Sequence, residues 1–328
     1  MTQPRSSLID LNATPYYHCI ARCVRRAFLC GEDRLTGQNF NHRKQWVIDR
    51  IKLLGEVFAI DIAAYAIMSN HYHLVLHVNA AQAQHWSEEE IIERWLTLYK
   101  GPMLIHRYRQ KKDQLTEGEM LHIYQLIATW RERLCSISWF MGLLNEQIAR
   151  EANKEDQCTG RFWEGRFKSQ ALLDEAAVLS CMTYVDLNPV RAGTASDLQD
   201  SDFTSIQARI HEIQAEQQKT KSYRQPQNPA EPTPELMRFI ESEHRQQHFA
   251  AIPFNLKDYL DLVDWTGRCI REDKCGAIDA NVPGILQTLG IDEQEWLLLS
   301  LDFQKRSISM LSGLEQIKRR QQPLSKAA

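Results

Sequence analysis

The sequence predicts an α+β protein, with helices on one face of a mostly antiparallel sheet. Three observations carry this. "AYAIMSNHYHLVLHV" (64–78) reads as two strands joined by a tight turn at Ser69-Asn70, and strands so joined pair antiparallel. "NHRKQWVIDRIKLLGEVF" (41–58) sets Trp46, Val47, Ile51, Leu54 and Phe58 at helical spacing. The elements follow one another as strand, helix, strand, strand, helices, strand, helix.

The first strand is "YYHCIARCV" (16–24), a β-rich run after Pro15. The helix over 41–58 leads into strands 61–67 and 71–78. Helical patterns fill 88–112 and 118–153, with Glu-rich starts and basic ends, interrupted at Gly101-Pro102. "GRFWEGRFKSQALL" (160–173) reads as extended. "DEAAVLSCMTYVDLN" (174–188) is a helix with an acidic first turn, limited by Pro189, with Gly193 just beyond. From 211 to 235 the chain turns polar, and its prolines and glutamines mark a linker. Residues 236–328 carry helical patterns such as "DYLDLVDWTGRCI" and "VPGILQTLGI". The expected organisation is therefore a main domain over 1–210 with a helical insertion at about 80–135, a linker over 211–235, and a helical C-terminal region over 236–328.

The 328 residues suffice for a sizeable core, and 43% hydrophobic and 25% charged residues are ordinary for a soluble globular protein. No apolar run reaches the roughly 20 residues of a membrane helix. The N-terminus has no apolar stretch of the secretory kind. The eight cysteines include no CxxC pair, which argues against a zinc ribbon and against a disulfide framework. Reduced thiols in a cytoplasmic protein are the expectation. A net charge of −3 exerts no general pull on nucleic acid, so any such contact needs a local basic patch.

Alternate side chains of a strand share a face. His71, His73, Val75 and His77 therefore point one way; Tyr72, Leu74, Leu76 and Val78 point toward a helix-covered core. Imidazoles at i and i+2 can converge on one divalent ion. They can equally be polar residues on a solvated sheet face, and a third ligand is required in any case. "MTYVDLNPVRAG" offers one: Tyr184 and Asn188 stand four apart on one helical face. The Asn188 amide oxygen could complete a three-ligand site, although a residue before proline is pushed away from α geometry. A phenol is a poor nucleophile at its ordinary pKa of about 10. Beside a cation that also withdraws charge from a phosphodiester, Tyr184 becomes a plausible one. The alternative is a tyrosine packed on a core face and an asparagine ending a helix.

Taken together, the His71-Tyr72-His73 strand, "GRFWEGRFKS" and "YVDLNPVRAG" resemble the REP-associated tyrosine transposases of the single-tyrosine HUH superfamily. The resemblance covers about 14–79 and 136–210. It implies an antiparallel sheet of ferredoxin-like type, His71 and His73 as metal ligands with Asn188 as the third, and Tyr184 as the nucleophile. It further implies Mg²⁺ or Mn²⁺ as cofactor and single-stranded or hairpin DNA as partner. The implied reaction is strand cleavage beside a hairpin through a 5′-phosphotyrosine, with release of a 3′-hydroxyl and rejoining. Residues 80–135 and those after 211 exceed the compact members; such additions could alter DNA choice, cover the active site or support a homodimer.

Single-stranded DNA is held by cations along its backbone and by aromatic platforms under its bases. Arg161, Trp163, Arg166 and Lys168, with Phe162 and Phe167 interleaved, are the first candidates. Arg22, Arg25 and Arg26 form a second cluster, and "HRYRQKK" (106–112) a third that equally reads as the basic end of a solvated helix. Two further function classes stand beside the enzyme. One is a domesticated protein that grips hairpins without cutting them. The other is a replication initiator or relaxase-like nuclease, which would place a second tyrosine one turn from Tyr184; positions 180 and 188 are Ser and Asn.

Overall fold

The computed structural model describes residues 8–24, 29–32, 37–221, 235–240 and 250–270. Four strands, β1 (Tyr16–Arg22), β2 (Ile60–Ile67), β3 (His71–Val78) and β4 (Lys168–Leu172), form one antiparallel sheet in the order β2-β3-β1-β4. Helix α1 (Arg43–Val57) connects β1 to β2. The stretch between β3 and β4 holds α2 (Ala80–His85), α3 (Glu88–Leu98), α4 (Met103–Gln110), α5 (Glu117–Leu134) and α6 (Ile137–Glu155). After β4 come α7 (Glu175–Asp186), the short α8 (Asn188–Arg191), α9 (Ser205–Lys221) and α10 (Leu256–Ile270).

Local chemistry explains the breaks. Ser87 with Glu90, and Thr116 with Glu119, form reciprocal capping boxes that start α3 and α5. Gly101 adopts φ +70 between α3 and α4, a left-handed conformation that glycine tolerates and other residues resist. The expected single helix over 118–153 is two. The Leu134 carbonyl at the end of α5 accepts from the Ala59 amide, and Ser136 then caps α6. Pro189 begins α8 rather than merely ending α7, because proline at a first helical position gives up an amide that would lack a partner anyway. Over 160–173 only 168–172 is strand; Trp163 makes an isolated bridge to Cys23. The polar segment after 211 starts as helix, since α9 runs to Lys221; its Gln, Glu, Ala and Lys are good helix formers. "DYLDLVDWTGRCI" lies within α10, whereas "VPGILQTLGI" and Arg25 lie outside the described residues.

One expectation needs correction: helices cover both faces of the sheet. On the first face Tyr17, Cys19 and Ala21 of β1 and Tyr72, Leu74 and Leu76 of β3 pack on Val47, Ile51 and Leu54 of α1 and Phe140, Leu144 and Ile148 of α6. Arg43, fully buried, ties α1 to the end of α6 through Glu155 at 2.6 Å and through Asp156. On the second face Ala64, Ala66, Val75 and Leu172 pack on Val178, Met182 and Val185 of α7 and on Tyr259, Leu262 and Val263 of α10. Sequence periodicity gave β3 one apolar face, but Val75 among the histidines and the small residues of β2 build a second core. Each buried aliphatic side chain stabilises by roughly 1.5–3 kcal/mol. A one-residue slip of β3 would forfeit both sets, so its register is strongly specified.

Candidate active site

β1 and β3 pair with Arg22 opposite His71, Ile20 opposite His73 and His18 opposite Val75. Directly paired residues share a face, so His18, His71 and His73 all stand on the face crossed by α7. β2 meets them there with Ala63, Ala64 and Ala66, whose small side chains let α7 lie close to the sheet.

Tyr184 comes from the last turn of α7. Its ring meets His73 edge-on with centroids 5.5 Å apart, and His18 at 6.1 Å. The His71 and His73 rings stand 4.8 Å apart, nearly perpendicular. Arg191, from α8, sets its guanidinium carbon 5.3 Å from the Tyr184 ring centre. Asn188 donates its side-chain amide to the Tyr184 carbonyl at 3.0 Å, a bond that does not use its Oδ1. The residues named from sequence as nucleophile and histidine ligands thus gather on one side of the sheet, with Tyr184 only 4% exposed. His77 shares their face yet belongs elsewhere: its Nδ1 pairs with Asp61 at 2.8 Å and its ring packs on Tyr16.

Burial holds these imidazoles neutral. It pushes His18 down to about 3, with His71 a lesser cause. It pushes His71 down to about 4, aided by the charge of Arg22. His73 lies well below its ordinary value, from burial first and its two histidine neighbours second. Neutral imidazole is the metal-binding form.

The donor set suits a divalent ion. The Asn70 Oδ1 accepts from His71 Nδ1 at 2.6 Å, so the lone pair of His71 is on Nε2. His73 Nε2 is buried and has no hydrogen-bond partner, an uncommon and costly condition for a ring nitrogen unless it has a ligand. Among the described residues no three or more His, Cys, Asp and Glu gather into a group that could hold a metal ion.

The expected DNA contacts divide. Arg22, Arg161, Arg166 and Lys168 are exposed. Arg22 pairs with His71, and Lys168 sits across Ile20 from His73, so both flank the histidines on the same face. The Glu164 amide bonds the Arg22 carbonyl and brings the 161–168 segment to that end of the sheet. Trp163 differs from the expectation of a stacking platform. It is 8% exposed, packs edge-on against Tyr72 and donates its indole N–H to the Asn145 carbonyl at 2.8 Å. Phe162 and Phe167 are buried with it. An amphipathic composition cannot say which way rings point, and here they close the first core. In "HRYRQKK", Arg107 pairs with Glu119 and Arg109 with Glu89 and Glu93, the pattern of a solvated helix end. Sequence reasoning missed His18 and Arg191. The alternation of β1 carried a signal for His18, but only the register with β3 shows that it meets His73.

No helix among the described residues is long and apolar enough to cross a membrane. No protein-family model matches the chain, and no curated protein does. Among solved structures the chain is similar to a REP-associated tyrosine transposase bound to a REP hairpin. The match has 13% identity, covers 72% of this chain and 99% of that one, and has a TM-score of 0.37. A likeness that slight carries no argument about the site.

Proposed function

We propose that this chain is a metal-dependent enzyme of the REP-associated tyrosine transposase type, which nicks and rejoins single-stranded DNA at hairpins. One observation supports the reading above others: the rings of His71, His73 and Tyr184, drawn from a strand and a helix more than 100 residues apart in sequence, converge on one face. The strand order β2-β3-β1-β4, with α1 and α6 among its connections, supports a ferredoxin-like sheet beneath them.

In this reading His71 Nε2, His73 Nε2 and Asn188 Oδ1 would hold Mg²⁺ or Mn²⁺. The ion would supply Lewis-acid withdrawal of charge from the phosphodiester. Tyr184 does the covalent work. Its Oη gives up its proton and bonds to phosphorus; the bond from phosphorus to the 3′ oxygen breaks, and that oxygen takes up a proton as a 3′-hydroxyl. The phosphotyrosine keeps the energy of the broken ester, so a second 3′-hydroxyl can reverse the step on another strand without a nucleotide cofactor. Arg22 and Lys168 border the site and favour backbone phosphates. Tyr184 is 4% exposed, and active-site groups often tighten into position only with substrate.

The inward packing of Tyr184 favours a second reading, a hairpin-binding protein that does not cut. One experiment separates the two. The full chain is incubated with hairpin-bearing single-stranded oligonucleotides and Mn²⁺, then resolved under denaturing conditions. The enzyme gives a covalent protein–DNA adduct and a free 3′ end. Tyr184→Phe removes only the hydroxyl: adduct and cleavage should vanish, while hairpin affinity stays within about 1 kcal/mol, as for a group acting in the chemical step alone. Cleavage persisting in Tyr184→Phe overturns the enzyme reading as stated. Hairpin binding by the wild type without any adduct supports the second.

A further inference from the structure

We infer that His18 is a positioning residue that accepts the Nδ1 proton of His73 when His73 serves as a metal ligand, and so strengthens metal binding. The inference rests on the metal site proposed above and extends it to a strand with no part in the His71-Tyr72-His73 motif.

His18 Nε2 and His73 Nδ1 lie 3.0 Å apart, with both residues at 1% exposure or less. One proton lies between two nitrogens at this distance, so one ring donates and the other accepts. The two outer nitrogens, His73 Nε2 and His18 Nδ1, are both buried without a hydrogen-bond partner. Two arrangements of the neutral pair follow. When His73 donates from Nδ1, its Nε2 carries an unused lone pair, and His18 Nδ1 holds the unbonded proton. When His18 donates instead, His73 Nε2 carries a proton and cannot bind a cation. Each arrangement strands one N–H in the core, so neither is strongly favoured by the protein alone. A cation at His73 Nε2 selects the first, because it can use the lone pair and not the N–H.

His71 has a different partner: the Asn70 side-chain Oδ1 lies 2.6 Å from its Nδ1 and, as an acceptor, favours the tautomer with the lone pair on Nε2. The two ligands are thus held by different devices: a fixed acceptor for His71, and for His73 a ring that accepts in one state and donates in the other. Outer partners of ligating histidines are worth about 10–100-fold in metal affinity.

The test titrates Mn²⁺ into the full chain by calorimetry. His18→Leu keeps bulk and deletes the acceptor, and should weaken binding about 10–100-fold. His18→Gln places an amide oxygen near the former Nε2 and should recover most of the affinity. Nitrogen-15 NMR of the histidine rings, read on the wild type, reports the tautomer without activity: His73 should be Nδ1-protonated in saturating Mg²⁺. His73 found Nε2-protonated in saturating Mg²⁺ overturns the inference even if His18→Leu fails to fold. So does Mn²⁺ affinity in His18→Leu within twofold of wild type, and in that case the metal site itself stands. A wild type that takes up no Mn²⁺ removes the metal site, and the role of His18 with it.

Discussion

Burial keeps His18, His71 and His73 neutral, fully for His18 and His73 and in large part for His71, and this has a consequence in acid. Their folded values fall below the ordinary 6.5, to about 3 for His18 and about 4 for His71, and well below it for His73. Below pH 6.5 the unfolded chain binds protons that the folded chain refuses. Stability from these rings is therefore complete above about 6.5 and is lost as pH falls through that value. By pH 5.5 the loss is on the order of 1 kcal/mol for each ring. Asp186 works the other way. Burial raises it to about 6 from 3.8, so between those values the folded chain holds the extra proton and gains stability as pH falls. Three rings outweigh one carboxyl, and net loss is expected. Thermal unfolding followed by circular dichroism should show a flat Tm from pH 8 to 7 and a steady fall from 6.5 to 5.5. His18→Gln, with one ring fewer, should fall by roughly a third less. A Tm unchanged down to pH 5.5 would mean that water reaches these rings.

α7 carries Tyr184, and Asp186 at its end fixes where that helix lies. The buried Asp186 carboxylate accepts from Ser205 Oγ at 2.5 Å, from the Ile206 amide at 3.0 Å and from Tyr259 Oη at 2.7 Å. The first two belong to α9 and the third to α10, so one carboxylate joins three helices. α10 also approaches closely at Gly267, where an added Cβ would come within 3.1 Å of Leu187. Tyr259→Phe removes one of three donors from a buried acceptor and should destabilise by about 1–3 kcal/mol in urea unfolding. An unchanged midpoint would show that α10 does not hold α7. The sequence made some of this legible and some not. Strands β2 and β3 were readable because alternation and a tight turn act locally, and the face shared by His71 and His73 follows from that alternation alone. The break between α5 and α6 was not, since Leu134, Cys135 and Ser136 contain no helix breaker and the interruption depends on Ala59, far away in sequence. Nor was the burial of Trp163, or the meeting of His18 with His73, because both depend on which strand pairs with which.

Across the whole molecule, a net charge of −3 sets a weakly repulsive background for DNA. Attraction must then be local, and the fold concentrates it. β1 ends at Arg22 beside His71, β4 begins at Lys168 on the same face, and the 161–168 segment between them is drawn to that end by the bond from Glu164 to Arg22. The aromatic side chains of that segment face the core, so its exposed surface is cationic with few platforms for bases. Cations without exposed rings favour phosphates over base edges as partners. Each phosphate neutralised on a single strand contributes about 0.7 to the slope of log affinity against log salt. Replacing Arg161, Arg166 and Lys168 together by Gln should flatten that slope by up to ~2 and weaken binding to unrelated hairpins alike. Fluorescence anisotropy across a salt series, on two hairpins of different sequence, measures both effects. A loss confined to one hairpin would assign base reading to these side chains. An unchanged slope would move the DNA track away from this end of the sheet, and with it the path by which a phosphodiester reaches Tyr184.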